Sequence, residues 1–384
     1  MGYMLFLSTY VPRKCGIATF TRDLTTALRK LDHRGKVSIV AMDNDLSKDL
    51  IYPDEVVSRV RENEWADYLA VAKSVNESRE HELVVIQHEY GIFGRNDGEL
   101  VVDFVKEVKK PVVTTLHTIL ENPTPRQRKI LIDLCERSHM VVVMLEAARD
   151  MLIEKYGIDA SKVTVIHHGV PDFAKMNSEE WKGKLNLSGR VVMCSINLLS
   201  EQKGIEYVVA SLPSIIAEVP EVIYLIVGQT HPSYLAAMGR DIYRERLEKM
   251  VVDLELSQHV KFINEYVSLE KLVELVTASD FYITAYLDPQ QAASGALAYA
   301  IGAGKLCIST PYLYAQEMLG DGRGILVPFR DSLSISRAVC EMIEFPLKRV
   351  GYEVKTYDLG RSMIWSNVAR QYQDIYNLAA YGGR

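Results

Sequence analysis

The chain has 384 residues, of which 48% are hydrophobic and 24% are charged, a composition typical of a globular protein with two domains rather than a disordered one. Its formal net charge of -6 gives no overall attraction to nucleic acid, and no nucleic-acid-binding module is recognisable. The five cysteines are scattered without a CxxC pair, which favours reduced thiols and argues against a disulfide framework or a zinc site.

The N-terminal apolar segment gives the first indication of location. Residues Tyr3–Leu7 are too few to span a bilayer and lack the charged leader of a signal peptide, so we expect a cytoplasmic protein. The basic run Arg126–Lys129 could touch an anionic membrane, although a solvated helix face is the favoured interpretation. Membrane association and a homo-oligomer therefore stay open.

Short apolar runs alternate with longer amphipathic stretches through the first half of the chain. Runs of this length, rich in Val and Ile, fit strands buried on both faces of a parallel sheet, and stretches such as Thr19–Leu31 fit the intervening helices. The repeated βαβ unit indicates a doubly wound sheet. The predicted strands are Met4–Leu7, Val37–Met42, Leu83–Gln87, Val112–Leu116, Met140–Met144 and Val163–Ile166.

The same alternation starts again after the polar stretch Pro171–Gly189, which is interpreted as a linker. We therefore predict an α/β protein of two Rossmann-like domains facing each other across a cleft, with residues 1–175 in the first domain and 190–355 in the second. Helices are expected at Gly204–Ala217 and Leu269–Thr277. The predicted strands of this half are Val191–Ile196, Val222–Val227, Val260–Ile263, Phe281–Thr284, Lys305–Ser309 and Ile325–Pro328.

Loops that follow the strands are the expected ligand sites, because ligands of open α/β sheets bind at the carboxyl ends of the strands. After strand one, Gly16 lets the backbone approach a ligand closely, and the helix that follows favours an anion at its N-terminus. The alternative is an ordinary strand-to-helix turn with a threonine N-cap. In the second half, Lys203 could neutralise phosphate charge, and the loop Gly228–Pro232 contains a glycine that would admit a ligand.

The segment Tyr286–Lys305 carries the clearest signal. It follows a strand, passes through a Pro turn and opens a helix at Ser294 and Gly295, where small residues leave the backbone N–H groups bare. Close packing of the same small residues is the structural alternative, and the two interpretations are compatible. The later Gly-Ala-Gly-Lys stretch precedes a strand and lacks the required Ser or Thr, so it is neither a dinucleotide fingerprint nor a P-loop.

In this order, the segments resemble retaining GT-B glycosyltransferases of family 4. The resemblance covers nearly the whole chain, from the Gly16 loop through His117, the run Val165–Val170, Lys203-Gly204 and the Gln291–Gly304 segment. It ends in an aromatic-rich tail, Trp365–Tyr376, which looks like the family's C-terminal helix that returns to the first domain. Residues 356–384 are accordingly predicted to form that element.

The family resemblance implies transfer of a sugar from a nucleotide-diphosphate donor to a carbohydrate acceptor, without a cofactor or a metal. It places Lys203 and the backbone at Ala293, Ser294 and Gly295 around the donor diphosphate. No Asp-x-Asp motif indicates a metal site either. The donor base and sugar are open, and overall resemblance to mannosyltransferases weakly favours GDP-mannose.

The chain departs from the family pattern at three positions. The usual E-x7-E glutamates, which lie near the donor sugar and on the ribose, fall on Gln291 and Tyr299, and the family's Arg five residues before Lys203 is Leu198. Loss of a charged hydrogen bond of about 1.5–3 kcal/mol would weaken donor binding about 10- to 100-fold. We therefore expect a divergent subgroup in which Gln291 and Tyr299 still line the donor site.

Two residues of the first domain are candidates for catalysis together with Lys203. His117, after the fourth predicted strand, matches the family's sugar-contacting histidine, with a core or capping histidine as the alternative. Glu89 follows the third predicted strand and could meet either sugar, although a structural carboxylate is equally consistent with its position. Arg244 is interpreted as a surface helix residue.

Three other functions share this two-domain plan. A phosphorylase would need a pyridoxal-phosphate lysine and a longer chain, whereas a sugar-nucleotide epimerase would consume donor without an acceptor. A non-catalytic sugar- or nucleotide-binding protein is indicated by the replacements at Gln291, Tyr299 and Leu198.

Overall fold

A computed structural model describes residues 3–33, 35–47, 49–173, 177–230, 234–235 and 238–382. The chain forms two compact units. Unit 1 comprises Met1–Gly169 with Met363–Arg384, and unit 2 comprises Val170–Ser362. Both have the Rossmann-like α/β architecture that the sequence predicts.

Unit 1 contains a seven-stranded parallel sheet in the order β3-β2-β1-β4-β5-β6-β7. Its central strands are almost wholly buried, as expected for strands covered on both faces. The strands are β1 Tyr3–Ser8, β2 Val37–Asp43, β3 Val56–Arg61, β4 His81–His88, β5 Val112–Leu116, β6 Met140–Val143 and β7 Val163–Val165.

The helices of unit 1 connect these strands, and one of them comes from the C-terminus. That C-terminal helix packs its aromatic face onto the unit, with the Trp365 ring 5.4 Å from Phe20 and the Tyr376 ring 6.2 Å from Phe6. The return of the chain end to the first domain is thus confirmed. The helices are Gly16–Leu31, Trp65–Glu77, Arg95–Gly98, Leu100–Glu107, Pro125–Arg137, Glu146–Glu154 and Trp365–Tyr381.

Unit 2 contains a six-stranded parallel sheet in the order β10-β9-β8-β11-β12-β13. These strands are β8 Val191–Ile196, β9 Val222–Val227, β10 Val260–Ile263, β11 Phe281–Thr284, β12 Leu306–Ser309 and β13 Gly324–Leu326. The described helices are Ser178–Lys184, Ile205–Glu218, Ile242–Asp253, Leu269–Ala278, Gly295–Gly302, Leu313–Leu319, Ser332–Glu344 and Pro346–Ser362.

Two elements differ from the sequence-based expectation. Strand β3 was missed because it lies at the sheet edge and mixes apolar and polar residues, so it lacks a continuous apolar run. His117 consequently follows the fifth strand, not the fourth. The expected linker also contains a helix, in which the buried Lys182 ammonium lies 2.9 Å from the Asp280 carboxylate.

Each sheet has one point where the strand order reverses. In unit 1 this switch point lies between β1 and β4, and in unit 2 between β8 and β11. Loops from two neighbouring strands diverge there and leave a crevice at the carboxyl edge. No helix in the described ranges has the length and hydropathy needed to cross a membrane.

Candidate functional site

The loop after β8 places Lys203 beside the switch point of unit 2. Residues Glu201–Lys203 form one 3-10 turn, and Gly204 then adopts a left-handed conformation at φ 61° before helix Ile205–Glu218 begins. A Cβ atom on Gly204 would lie 2.1 Å from the Ala285 carbonyl oxygen. Glycine is therefore required at this position, and it holds the lysine loop tightly against the loop after β11.

Tyr286, in the loop after β11, links the two neighbouring loops. The Lys203 ammonium lies 3.9 Å from the centroid of the Tyr286 ring, which is within cation–π range. The Tyr286 hydroxyl donates a hydrogen bond to Asn197 Oδ1 in the loop after β8 and lies 3.4 Å from Ser294 Oγ. The other ring face stacks on Tyr312 at 4.9 Å. One buried ring thus brings Lys203 and Ser294 together.

Ser294 begins helix Gly295–Gly302 as its N-cap. Its hydroxyl oxygen accepts a hydrogen bond from the Leu297 amide at 3.3 Å. In the described part of the chain, no residue accepts a hydrogen bond from the Gly295 or Ala296 amide. These two N–H groups at the positive end of the helix are therefore available to an anion.

Burial shifts the pKa values of Lys203 and Tyr286. Desolvation lowers the pKa of Lys203 from 10.5 to about 8, although the Asp288 carboxylate partly opposes the shift. Desolvation also raises the pKa of Tyr286 to about 12, so its hydroxyl stays neutral and donates to Asn197. The site therefore carries a half-buried lysine whose charge an anionic ligand would stabilise.

Three positions at which the chain departs from the family pattern also lie in unit 2. Gln291 is half-buried, and its side-chain amide donates to the Ala293 carbonyl oxygen at 2.9 Å. Tyr299 is buried in the helix that Ser294 caps. Leu198 is half-buried in the loop between β8 and Lys203. No carboxylate occupies any of these three positions.

Gly228 lies directly after β9 with φ 128°, a conformation that strongly favours glycine. A Cβ atom there would lie 1.7 Å from the Asn197 carbonyl oxygen, so Gly228 permits the loops after β8 and β9 to meet. The remainder of this loop, His231 and Pro232, lies outside the described residues.

Arg244 was expected on the surface, and that expectation is wrong. The residue is 6% exposed, and its guanidinium donates to the Gly228 carbonyl oxygen at 2.7 Å. The Asp241 carboxylate lies 3.4 Å from Nε and also accepts from Thr230 Oγ1. The burial of Arg244 is hard to predict from sequence, because a charged residue on a polar helix stretch usually faces water. Arg244 therefore holds the backbone at Gly228, directly after β9.

In unit 1, the first loop of the sheet ends at Gly16, the first residue of a helix. The N-cap is Cys15, whose sulfur accepts from the Ala18 amide at 3.4 Å, rather than the threonine considered from the sequence. No atom of a described residue lies within 4 Å of a Cβ built on Gly16. The glycine therefore leaves open space at the start of a helix, which suits an approaching ligand.

His117 is buried after β5 and is neutral. Its Nε2 lies 2.8 Å from Gln87 Oε1, and because an amide oxygen only accepts, Nε2 carries the proton. Desolvation, together with nearby His168 and His88, lowers the pKa of His117 to about 3. The ring packs edge-on against Phe20 at 4.9 Å. His117 can therefore accept or donate a hydrogen bond near neutral pH but cannot act there as a cationic acid.

Glu89 follows β4 and uses both carboxylate oxygens within unit 1. One accepts from the Tyr90 amide at 2.9 Å and the other from Thr118 Oγ1 at 2.5 Å. Desolvation by burial raises the pKa of the Glu89 carboxyl. Through Thr118 the carboxylate ties the loop after β4 to the loop that contains His117. This arrangement matches the structural carboxylate that the sequence left open.

The structure thus groups the candidate residues by unit. It brings Lys203, Ser294 and Gly295 together in unit 2, and it places Glu89 beside the His117 loop in unit 1. Sequence reasoning missed Tyr286 and Asn197, although both lie within two residues of the ends of strands that meet at a switch point. Within the described ranges, no group of three or more His, Cys, Asp or Glu side chains is arranged to hold a metal ion.

The sequence matches two family models along most of its length. Residues 15–172 match the model described as Glycosyltransferase Family 4, and residues 177–355 match Glycosyl transferases group 1. The chain belongs to this glycosyltransferase family. The two matched regions fall in the two units of the structure, and the residues around Tyr286 lie in the group 1 region.

Two relatives within this glycosyltransferase family carry names that state an activity. The chain is 24% identical over 338 residues to an alpha-monoglucosyldiacylglycerol synthase of Streptococcus pneumoniae, covering 80% of this chain and 71% of that protein. It is 24% identical over 276 residues to a phosphatidyl-myo-inositol mannosyltransferase of Mycolicibacterium smegmatis, covering 71% and 66%. A match to an uncharacterized glycosyltransferase of Methanocaldococcus jannaschii is 25% identical over 245 residues and spans 63% of this chain but only 59% of that relative.

Solved structures share the fold at low sequence identity. Anabaena HepE in complex with UDP and glucose has a TM-score of 0.74 at 18% identity, covering 97% of this chain and 99% of its own. A glycosyltransferase from Rickettsia africae has a TM-score of 0.77 at 18% identity, covering 99% of each chain. These likenesses establish the two-domain glycosyltransferase fold.

Proposed function

We propose that the chain is a retaining glycosyltransferase that moves a hexosyl group from a nucleotide-diphosphate sugar to a sugar or glycan acceptor. Unit 2 binds the donor, and unit 1 binds the acceptor. Membership of the glycosyltransferase family supports the class of reaction. The proposal needs no metal ion and no bound cofactor, because protein groups stabilise the leaving diphosphate.

The observation that carries this proposal is that Lys203 and Ser294 share one neighbour, Tyr286. Both side chains contact Tyr286, the ammonium at 3.9 Å from the ring centroid and the Ser294 hydroxyl at 3.4 Å from the tyrosine oxygen. A cation and the N-terminus of a helix with available amides therefore both lie next to the Tyr286 side chain. A positive charge together with fixed N–H donors is the combination that suits a diphosphate.

The chemistry follows from the charge that develops when the sugar–phosphate bond breaks. The departing nucleoside diphosphate gains negative charge, and the Gly295 and Ala296 amides with the Lys203 ammonium stabilise it more strongly in the transition state than in the ground state. The acceptor hydroxyl attacks on the face from which the diphosphate leaves, so the anomeric configuration is retained. This stereochemical outcome rests on the family resemblance.

His117 contributes a neutral imidazole to the proposed sugar-binding surface of unit 1. Because Nε2 is occupied by Gln87, Nδ1 is the nitrogen that would accept a hydrogen bond from a sugar hydroxyl. Glu89 does not contact the sugar in this proposal. It holds the loop in which His117 lies, through its hydrogen bond with Thr118. Gly16 leaves room for the ligand at the start of the first helix.

The proposed donor is GDP-mannose, and UDP-glucose is the second to test. Phosphatidyl-myo-inositol mannosyltransferase and alpha-monoglucosyldiacylglycerol synthase are similar to this chain at the same 24% identity, so the comparisons do not separate the two sugars. Gln291, whose side chain can both donate and accept, replaces the family glutamate near the donor sugar. A hexose hydroxyl can bond to it without a carboxylate.

A non-catalytic nucleotide-sugar-binding protein is the second candidate. It is motivated by the Gln291 side chain, whose amide already donates to the Ala293 carbonyl oxygen, and by the buried tyrosine at position 299. A protein of this kind would retain the diphosphate site but lack turnover. A sugar-nucleotide epimerase would instead consume the donor without any acceptor and convert it to an isomeric sugar nucleotide.

Turnover and binding are measured side by side to separate these functions. The protein is incubated with GDP-mannose, UDP-glucose and related donors, with and without mono- and disaccharide acceptors, and released nucleoside diphosphate is quantified. The transferase predicts release that depends on the acceptor, together with a thermal shift by GDP or UDP. Product analysis separates the other two functions. A thermal shift without release or change of the donor supports the binding protein, and conversion of the donor to an isomeric sugar nucleotide without an acceptor supports the epimerase.

A further inference from the structure

Tyr286 lies at the centre of the proposed donor site, where its side chain contacts residues of both neighbouring loops. Its ring is 2% exposed and lies between the Lys203 ammonium and the ring of Tyr312. Its hydroxyl is fixed by Asn197 Oδ1. No carboxylate of a described residue forms an ion pair with Lys203.

The Asp288 carboxylate only partly opposes the fall in the Lys203 pKa that desolvation causes, so the ammonium needs another source of stabilisation. The face of an aromatic ring carries negative electrostatic potential and can supply part of it, the more so when the pair is desolvated. A carboxylate would hold the lysine equally well, but it would then compete with the diphosphate for the positive charge. The ring holds the ammonium in place and leaves the N–H donors that point away from it for a ligand.

We propose that Tyr286 is a positioning residue, which holds the Lys203 ammonium over its ring and thereby presents the charge to the donor diphosphate beside the Ser294 helix. This inference rests on the proposed function and adds a residue to it. Tyr286 acts through Lys203 and does not itself contact the reacting atoms. Its hydroxyl has the lesser role of fixing the ring against Asn197.

The hydrogen bond to Asn197 has a consequence for the amide of that residue. Because Oδ1 accepts from the Tyr286 hydroxyl, the side chain presents Nδ2, which is buried and makes no hydrogen bond within the described part of the chain. A buried N–H donor without an acceptor destabilises the folded protein unless a ligand or water accepts its hydrogen bond. Asn197 thus fixes the orientation of the Tyr286 ring through Oδ1, while its Nδ2 group remains available to a ligand.

The test replaces the ring in steps that keep its shape. Tyr286→Phe removes only the hydroxyl, and Phe analogues with one, two and three fluorine atoms at position 286 then withdraw the negative potential of the ring face without changing its packing much. Tyr286→Leu removes the ring altogether. Phe281→Leu is the matched control, since Phe281 is a fully buried aromatic residue at the start of β11, the strand that precedes the Tyr286 loop.

Two readouts are taken for every variant. Competitive acetylation across pH, followed by peptide mass spectrometry, gives the pKa of the Lys203 amine without any need for turnover. Steady-state kinetics gives kcat and KM for the donor. We expect each added fluorine to lower both the Lys203 pKa and the donor kcat/KM, and we expect Tyr286→Leu to lose about 10- to 30-fold in kcat/KM relative to Phe281→Leu.

A flat Lys203 pKa and a flat kcat/KM across the fluorinated series would overturn the proposal, whether or not Tyr286→Leu folds. A wild-type protein that turns over no donor would contradict the transferase itself, and the acetylation series would still decide whether the ring positions the ammonium. The two failures are therefore distinguishable.

Discussion

The Lys203 ammonium lies 3.9 Å above the Tyr286 ring, and the same tyrosine oxygen lies 3.4 Å from the N-cap hydroxyl of Ser294. The two groups belong to loops that follow neighbouring strands, β8 and β11, at the reversal of strand order. A separation of about ninety residues along the chain is thus closed by a single side chain. The predictions below follow from this arrangement and from the glycines and the arginine around it.

The first prediction concerns the charge of Lys203. Lys203→Met keeps the apolar stem on the Tyr286 ring but removes the ammonium, and we expect turnover to fall by about 100-fold or more, as for loss of one preorganised transition-state donor. The melting temperature should not fall, because a buried charge without an ion pair is removed. Lys249→Met is the control, since Lys249 is 73% exposed and paired with Asp253. Equal turnover in the two variants would remove Lys203 from the mechanism.

The second prediction is a pH dependence. Burial lowers the pKa of Lys203 to about 8, so the amine is charged below that pH and neutral above it in the free protein. We expect kcat/KM for the donor, which reports the free protein, to fall as the pH rises through about 8. The contribution of Lys203 to stability has the opposite sign, because a lowered lysine pKa makes the folded state more stable as the pH rises from 8 towards 10.5.

The pH dependence of kcat/KM and that of stability can both be measured on one preparation. Kinetics between pH 6 and pH 10 gives the first, and thermal unfolding of the wild type and of Lys203→Met over the same pH range gives the second. A kcat/KM profile that is level from pH 7 to pH 10 would show that Lys203 does not need its charge.

The third prediction uses the open space at Gly16. Because no described atom lies within 4 Å of an added Cβ and the residue is helical, Gly16→Ala should raise stability by about 0.5–1 kcal/mol. It should raise KM or lower kcat if a ligand occupies that space. Gly351→Ala, also helical and without neighbours within 4 Å, should raise stability similarly and leave kinetics unchanged. Unchanged kinetics in both variants would place the ligand elsewhere.

The fourth prediction tests the correction at Arg244. Arg244→Met leaves the Asp241 carboxylate without its cation and the Gly228 carbonyl without its donor, so the free energy of unfolding should fall by about 3 kcal/mol. Arg240→Met, in which the lost residue is 64% exposed and paired with Glu245, should cost less than about 1 kcal/mol. Urea unfolding followed by circular dichroism measures both values. Similar losses in the two variants would mean that the buried contact contributes little.

Most of the fold could be predicted from the sequence because buried parallel strands are continuous apolar runs. Strand β3 could not be predicted in this way, since it lies at the edge of the sheet and its Val-Val-Ser-Arg-Val-Arg sequence mixes apolar and polar residues. The linker was only partly predictable. The polar composition of Ser178–Lys184 hid a helix that is held in unit 2 by the buried pair of Lys182 and Asp280.

The candidate site was predictable where one local feature carries it. Ser294 with Gly295, and Lys203, stand out because a small-residue helix start and a loop lysine are visible in sequence. Tyr286 and Arg244 do not stand out, because their roles depend on contacts with residues far along the chain. A tyrosine after a strand and an arginine in a polar helix have many common structural uses, and only the tertiary contacts distinguish them.

A crystal structure of the protein soaked with GDP or UDP tests the central claim most directly. The account predicts that the diphosphate oxygens accept hydrogen bonds from the Gly295 and Ala296 amides and from the Lys203 ammonium, which stays over the Tyr286 ring. A nucleotide bound with its diphosphate elsewhere, or a Lys203 side chain turned away from it, would contradict the account.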